Sequence, residues 1–172
     1  IVNNYQHKDL FMKIELGSIT VAEFRDGIRH LTKQPLTDEQ IDAAWIAMLD
    51  DVPDYKLDLL LGLRKRYNTM LLSNTNEIHW DWSEKTCFSY KGHHASDFFN
   101  HIYLSYRLHL LKPDAEIFEY VLQDANIRPE ETLFIDDAIP NCRTAESLGF
   151  HTYTPQPRED WSHLFGFMNH EL

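Results

Sequence analysis

Four short apolar runs constrain this chain more than any other feature: Thr69-Met70-Leu71-Leu72, His101-Ile102-Tyr103-Leu104, Thr132-Leu133-Phe134-Ile135 and the stretch from Phe150 to Thr154. Each has the length of a strand and is too short to be a buried helix. Helical patterns separate them: Lys56 to Tyr67 carries Leu59, Leu60 and Leu63, the segment after Lys112-Pro113-Asp114 carries Ile117, Phe118, Val121 and Leu122, and Asn141 to Leu148 stops at Gly149. Strands that alternate with helices predict parallel pairing, with helices covering the sheet faces. The expected class is therefore α/β.

Upstream the rhythm is purely helical. Thr20-Val21-Ala22-Glu23 and Thr37-Asp38-Glu39-Gln40 both have capping-box spacing. The first precedes Phe24, Ile28 and Leu31, the second Ile41, Trp45 and Met48, and Gln34-Pro35 separates them. This reads as a small antiparallel helical domain over 1–54, followed by the α/β core over 55–172. A polar, aromatic-bearing helix is expected around Ile78 to Ser83, a loop over 86–97, and a last short helix from Asp160 to Phe165. The chain opens Ile1-Val2-Asn3-Asn4, with neither an initiator Met nor a signal-peptide pattern, so the natural protein is expected to start before residue 1.

Composition excludes several roles. Sixteen Lys and Arg stand against 27 Asp and Glu, a formal net charge of −11 over 172 residues. Such a surface repels phosphate backbones and anionic headgroups, so neither nucleic acid nor membrane is an expected partner. Leu59-Leu60-Leu61 is far short of a span. Cys87 and Cys142 are too few for a disulfide framework, which points to a reducing, cytoplasmic setting. Neither has a basic neighbour in sequence to make it a nucleophile. The adjacent His93 and His94 have no further ligand spaced to complete a metal site, and Trp45, Trp80 and Trp82 read as packing residues.

Ligands of a parallel sheet bind beyond the carboxyl ends of its strands, and three polar clusters fall at or near such ends. Asp136-Asp137 leaves a hydrophobic strand as two adjacent carboxylates, whose repulsion is about 4 kcal/mol at about 4 Å and an effective dielectric near 20. A divalent cation removes that cost, and an all-oxygen site suits Mg²⁺. Equally compatible with the spacing, Asp137 caps the following helix while Asp136 points into solvent. Ser73-Asn74-Thr75 offers hydroxyl, amide and backbone donors for a phosphate, or an ordinary strand-to-helix cap. Lys112 offers a cation to a phosphoryl oxygen, or is a solvated residue ahead of a helix.

In order, Met70-Leu71-Leu72-Ser73-Asn74-Thr75, Lys112-Pro113-Asp114 with Ile117-Phe118, and Leu133-Phe134-Ile135-Asp136-Asp137 with Asn141, Ala145 and Gly149 resemble the second, third and fourth motifs of the haloacid-dehalogenase-like (HAD) hydrolases. The helical segment ahead of them is similar to the cap of the branch that holds sugar-1-phosphate phosphatases and the phosphatase domain of soluble epoxide hydrolases. The resemblance implies a Rossmann-like core with a small helical cap, and a Mg²⁺-dependent phosphatase of a small phosphorylated metabolite. It implies that Ser73 and the Asn74 N–H hold a phosphate oxygen, and that Lys112 neutralises charge on the nucleophile and the transferring group. It makes Asp137 a Mg²⁺ ligand, with Asp136 a second ligand or a partner through water. The family's Asp-x-Asp first motif, which supplies the nucleophile of an aspartyl-phosphate mechanism and rides on a central strand, is not among the 172 residues. His7-Lys8-Asp9-Leu10 lacks both the preceding strand and the second Asp. A metal-free haloacid dehalogenase and a non-catalytic module that kept the scaffold are the competing readings.

Overall fold

In a computed structural model of the chain, residues 4–166 are described, with side chains from residue 9 onward. Ile1 to Asn3, where the unusual start falls, lie outside the described residues. The chain forms two compact units, Ile1–His109 and Leu110–Leu172.

The first unit begins with three helices: α1 (Asn4–Glu15), α2 (Val21–Thr32) and α3 (Asp38–Ile46). Both expected capping boxes form. The Thr20 hydroxyl accepts from the Glu23 N–H at 3.2 Å while Glu23 accepts from the Thr20 N–H at 2.8 Å. Thr37 and Gln40 repeat the exchange at 3.3 and 2.9 Å. The boxes satisfy donors that a helix start leaves orphaned. Across α2 and α3, the Arg25 guanidinium forks onto Asp42 at 2.9 and 2.5 Å, and Arg29 pairs with Asp38. Beneath them Ile14, Phe24 and Ile41 are buried together with Ile78.

From there α4 (Asp54–Arg64) leads into β1 (Met70–Ser73), α5 (Glu77–Thr86), α6 (Ala95–Phe98), β2 (His101–Leu104) and α7 (Ser105–Leu108). β1 and β2 pair in parallel, Met70 opposite His101 and Ser73 opposite Leu104. The core here is aromatic: Phe88 contacts Trp80, Phe98 and Phe99 at centroid distances of 5.6–5.8 Å. The stretch over 86–97, expected as loop, holds a 3₁₀ turn at Tyr90–Gly92 and the start of α6. Asp97 accounts for the helix by accepting from the His94 N–H at 2.8 Å, and it lies 3.3 Å from His93 Nδ1.

The second unit contains α8 (Ala115–Asp124), β3 (Leu133–Ile135), α9 (Ile139–Ser147) and β4 (His151–Tyr153), then a 3₁₀ turn at Trp161–Phe165. β3 and β4 pair in parallel, Leu133 opposite His151 and Ile135 opposite Tyr153. Phe118 of α8 meets Phe134 edge-on at 5.3 Å and Phe150 at 6.0 Å. Gly149 takes φ +95° just past α9, the left-handed exit for which glycine is suited. Among the described residues β1 has only β2 as a neighbour, and β3 only β4. All four apolar runs are strands, and the class is α/β with parallel, Rossmann-like sheet pairs.

Candidate active site

Ser73, Asn74, Asp136 and Asp137 fall at strand ends, and Lys112 falls in the turn ahead of α8. In the first, Ser73 closes β1 and Asn74-Thr75-Asn76 leads into α5. The Ser73 hydroxyl is half-buried, and its one contact among the described residues is a long 3.5 Å approach to the Asn74 carbonyl. Asn76 caps α5, its Oδ1 accepting from the His79 N–H at 3.1 Å. Its Nδ2 is fully buried and has no acceptor among the described residues. A buried donor left unmade costs about 1–3 kcal/mol, so this loop is oversupplied with donors.

In the second unit the sequence left the roles of three residues open, and the structure separates them. Lys112 Nζ donates to Asp136 Oδ2 at 2.6 Å, with the two side chains only 9% and 8% exposed. The other carboxylate oxygen, Oδ1, accepts from the Ala138 N–H at 2.8 Å and from Asn141 Nδ2 at 3.0 Å. Lys112 is thus no solvated helix-start residue. Nor does Asp137 cap α9: Ala138 stands at the cap position without a side-chain bond, and Asp136, far from pointing into solvent, is the inward carboxylate. The strand's alternation explains the split, because successive side chains leave opposite faces. Asp137 is exposed and makes no hydrogen bond or ion pair among the described residues.

A charge pair this buried holds only because each partner's desolvation is offset by the other and by the added donors on Asp136. Its geometry fixes the lysine's position. The donor set also fits Mg²⁺: the Asp137 carboxylate offers hard oxygens with no protein cation paired to it among the described residues, and this ion commonly binds through one or two carboxylates plus waters and substrate phosphate. Both oxygens of Asp136 are engaged by protein donors, which suits a partner acting through water. No cluster of three or more acidic, His or Cys side chains able to hold a metal occurs among the described residues.

Two residues went unrecognised in the sequence as site components. Asn141 was seen only as part of a motif, and its amide anchors Asp136 from the first turn of α9. Ser105 was missed altogether, although it immediately follows a strand run, at the same rim as Ser73. Its hydroxyl accepts from the Thr75 N–H at 2.9 Å.

Comparison with known proteins identifies the family. A family model described as haloacid dehalogenase-like hydrolase matches residues 3–149. A D-ribitol-5-phosphate phosphatase from Bacteroides thetaiotaomicron is 38% identical over 160 residues, 93% of this chain and 78% of that protein. The crystal structure of a HAD family enzyme from the same organism superposes with TM-score 0.93 at 52% identity, covering 94% of this chain and 80% of that one. A structure of that enzyme complexed with magnesium and inorganic phosphate gives TM-score 0.89 at 54% identity, covering 91% and 79%. The chain belongs to the haloacid dehalogenase-like hydrolases.

Proposed function

We propose that the protein is a Mg²⁺-dependent phosphatase of a small phosphorylated metabolite, a sugar or polyol phosphate. The observation that carries this reading is the buried Lys112–Asp136 pair beside the exposed Asp137, which has no partner among the described residues. It supplies a positioned cation and a free hard ligand next to each other, the combination phosphoryl chemistry needs. A dehalogenase has no use for the second. The likeness to a D-ribitol-5-phosphate phosphatase and to a magnesium and phosphate complex supports the substrate class.

In this reading Asp137 holds the metal and Asp136 keeps Lys112 aimed. When bound, Mg²⁺ supplies Lewis-acid stabilisation of phosphoryl oxygens. Ser73 Oγ and the Asn74 N–H donate to phosphate oxygens, and Lys112 offsets the charge that spreads over them in the transition state. Residues 1–54 serve as the cap that reads the rest of the substrate, and 55–172 as the hydrolase core. The two free cysteines, both buried, support a reducing, cytoplasmic setting.

The test is a panel of phosphate esters including D-ribitol 5-phosphate, assayed for phosphate release with Mg²⁺ and with excess chelator. Release that requires Mg²⁺ is expected. Turnover of a chlorinated acid in chelator, without hydrolysis of any ester, would overturn the assignment in favour of the dehalogenase. Phosphate binding with no turnover of any compound would favour the non-catalytic module. Asp137→Asn should abolish Mg²⁺-dependent turnover while shifting stability by no more than about 0.5 kcal/mol, as expected of an exposed side chain.

A further inference from the structure

We propose that Ser105 is a positioning residue for the phosphate-binding loop, a role that rests on the functional reading above. Ser105 is fully buried at the end of β2. Its hydroxyl accepts from the Thr75 N–H at 2.9 Å, and lies 2.7 Å from the Glu15 carbonyl and 2.9 Å from the Thr75 carbonyl. One hydroxyl carries one proton, so it donates to one of these carbonyls at a time while accepting from Thr75 throughout.

The same place is fastened twice more. His109 Nδ1 donates to the Leu16 carbonyl at 2.9 Å. Gly17, at φ +64°, backs so closely onto the Tyr106 carbonyl that a Cβ there would sit 2.1 Å from its oxygen. Three consecutive residues at the end of α1 are therefore clamped onto the chain leaving β2, and Ser105 extends the clamp to the loop leaving β1.

Thr75 stands two residues past Ser73, whose own hydroxyl has nothing firmer than a 3.5 Å contact. The direction of the Ser73 hydroxyl and the Asn74 N–H is thus set by the main chain, and Ser105 holds that main chain by the Thr75 N–H throughout and by the Thr75 C=O whenever its proton is not on the Glu15 carbonyl. It touches no substrate; it acts through the loop.

The test uses Ser105→Ala and Ser105→Cys in the full chain, titrated with inorganic phosphate in the presence of Mg²⁺, with exchange of the Thr75 amide followed by NMR. Cysteine fills the space but bonds weakly, so a packing role would be restored by it and a hydrogen-bonding role would not. We expect both variants to bind phosphate about 10-fold more weakly, and the Thr75 amide to exchange at least about 10-fold faster, the scale of one lost hydrogen bond. Recovery of phosphate affinity by Cys, or unchanged affinity in both variants, would overturn the positioning role alone. A wild-type chain that binds no phosphate would overturn the functional reading and this role with it.

Discussion

Lys112 and Asp136 show how much a pair of side chains can be worth when water is kept away. Removing one partner strands a charge in a nearly closed site. Asp136→Ala and Lys112→Ala should each lower stability by about 3–5 kcal/mol, read from urea unfolding. The double variant Lys112→Met/Asp136→Leu should recover most of that loss, because no unpaired charge remains. If the double variant is as unstable as either single one, burial of the charge is not what makes the single changes costly. Gly17 is the steric counterpart. Its left-handed backbone and the adjacent Tyr106 carbonyl leave no room for a methyl group, so Gly17→Ala should cost at least about 1–3 kcal/mol, measured the same way. At this scale the sequence singled out Lys112, Asp136 and Asp137 as candidates but did not show how their side chains are arranged. Two adjacent carboxylates look alike in a string of letters. The register of β3 decides which faces inward, and register follows from packing.

At the scale of elements, legibility depended on how local the cause is. The capping boxes of α2 and α3 involve residues three apart, and both could be read directly. Thr20→Ala and Thr37→Ala should each cost about 1 kcal/mol, observable as a lower unfolding midpoint. The strands were legible from run length alone. By contrast the one-turn helices α6 and α7 are too short to show a period. Ser105 lies further beyond reach: its partners are 30 and 90 residues away in sequence, and only the parallel pairing of β1 with β2 brings the first of them near.

For the molecule as a whole, the fold class follows from the alternation of short apolar runs with helices, which comparison with the HAD hydrolases bears out. One titration should be visible in global stability. His79 stacks on Trp45 with centroids 4.8 Å apart, and its Nε2 donates to the Trp45 carbonyl at 3.0 Å. Burial pushes its pKa below the ordinary 6.5, an effect the carbonyl only partly opposes. The unfolded chain therefore takes up this proton first. The contribution is fully present above about pH 6.5 and is lost as the pH falls through that value toward the depressed one. Unfolding midpoints should drop between pH 7.5 and 5.5, and His79→Phe, which keeps the ring stacking and removes the titration, should flatten that slope. An equally steep slope in the variant would place its origin elsewhere.

The lysine at the site brings no spare positive charge with it. With Asp136 held against it the two sum to zero, which leaves Asp137 as a local negative charge in a chain whose total is −11. A doubly charged anion approaching from solution therefore meets repulsion, not welcome. On the proposed reading, a divalent ion held at Asp137 is what reverses the local sign, so anion binding is expected to strengthen with the ion already in place.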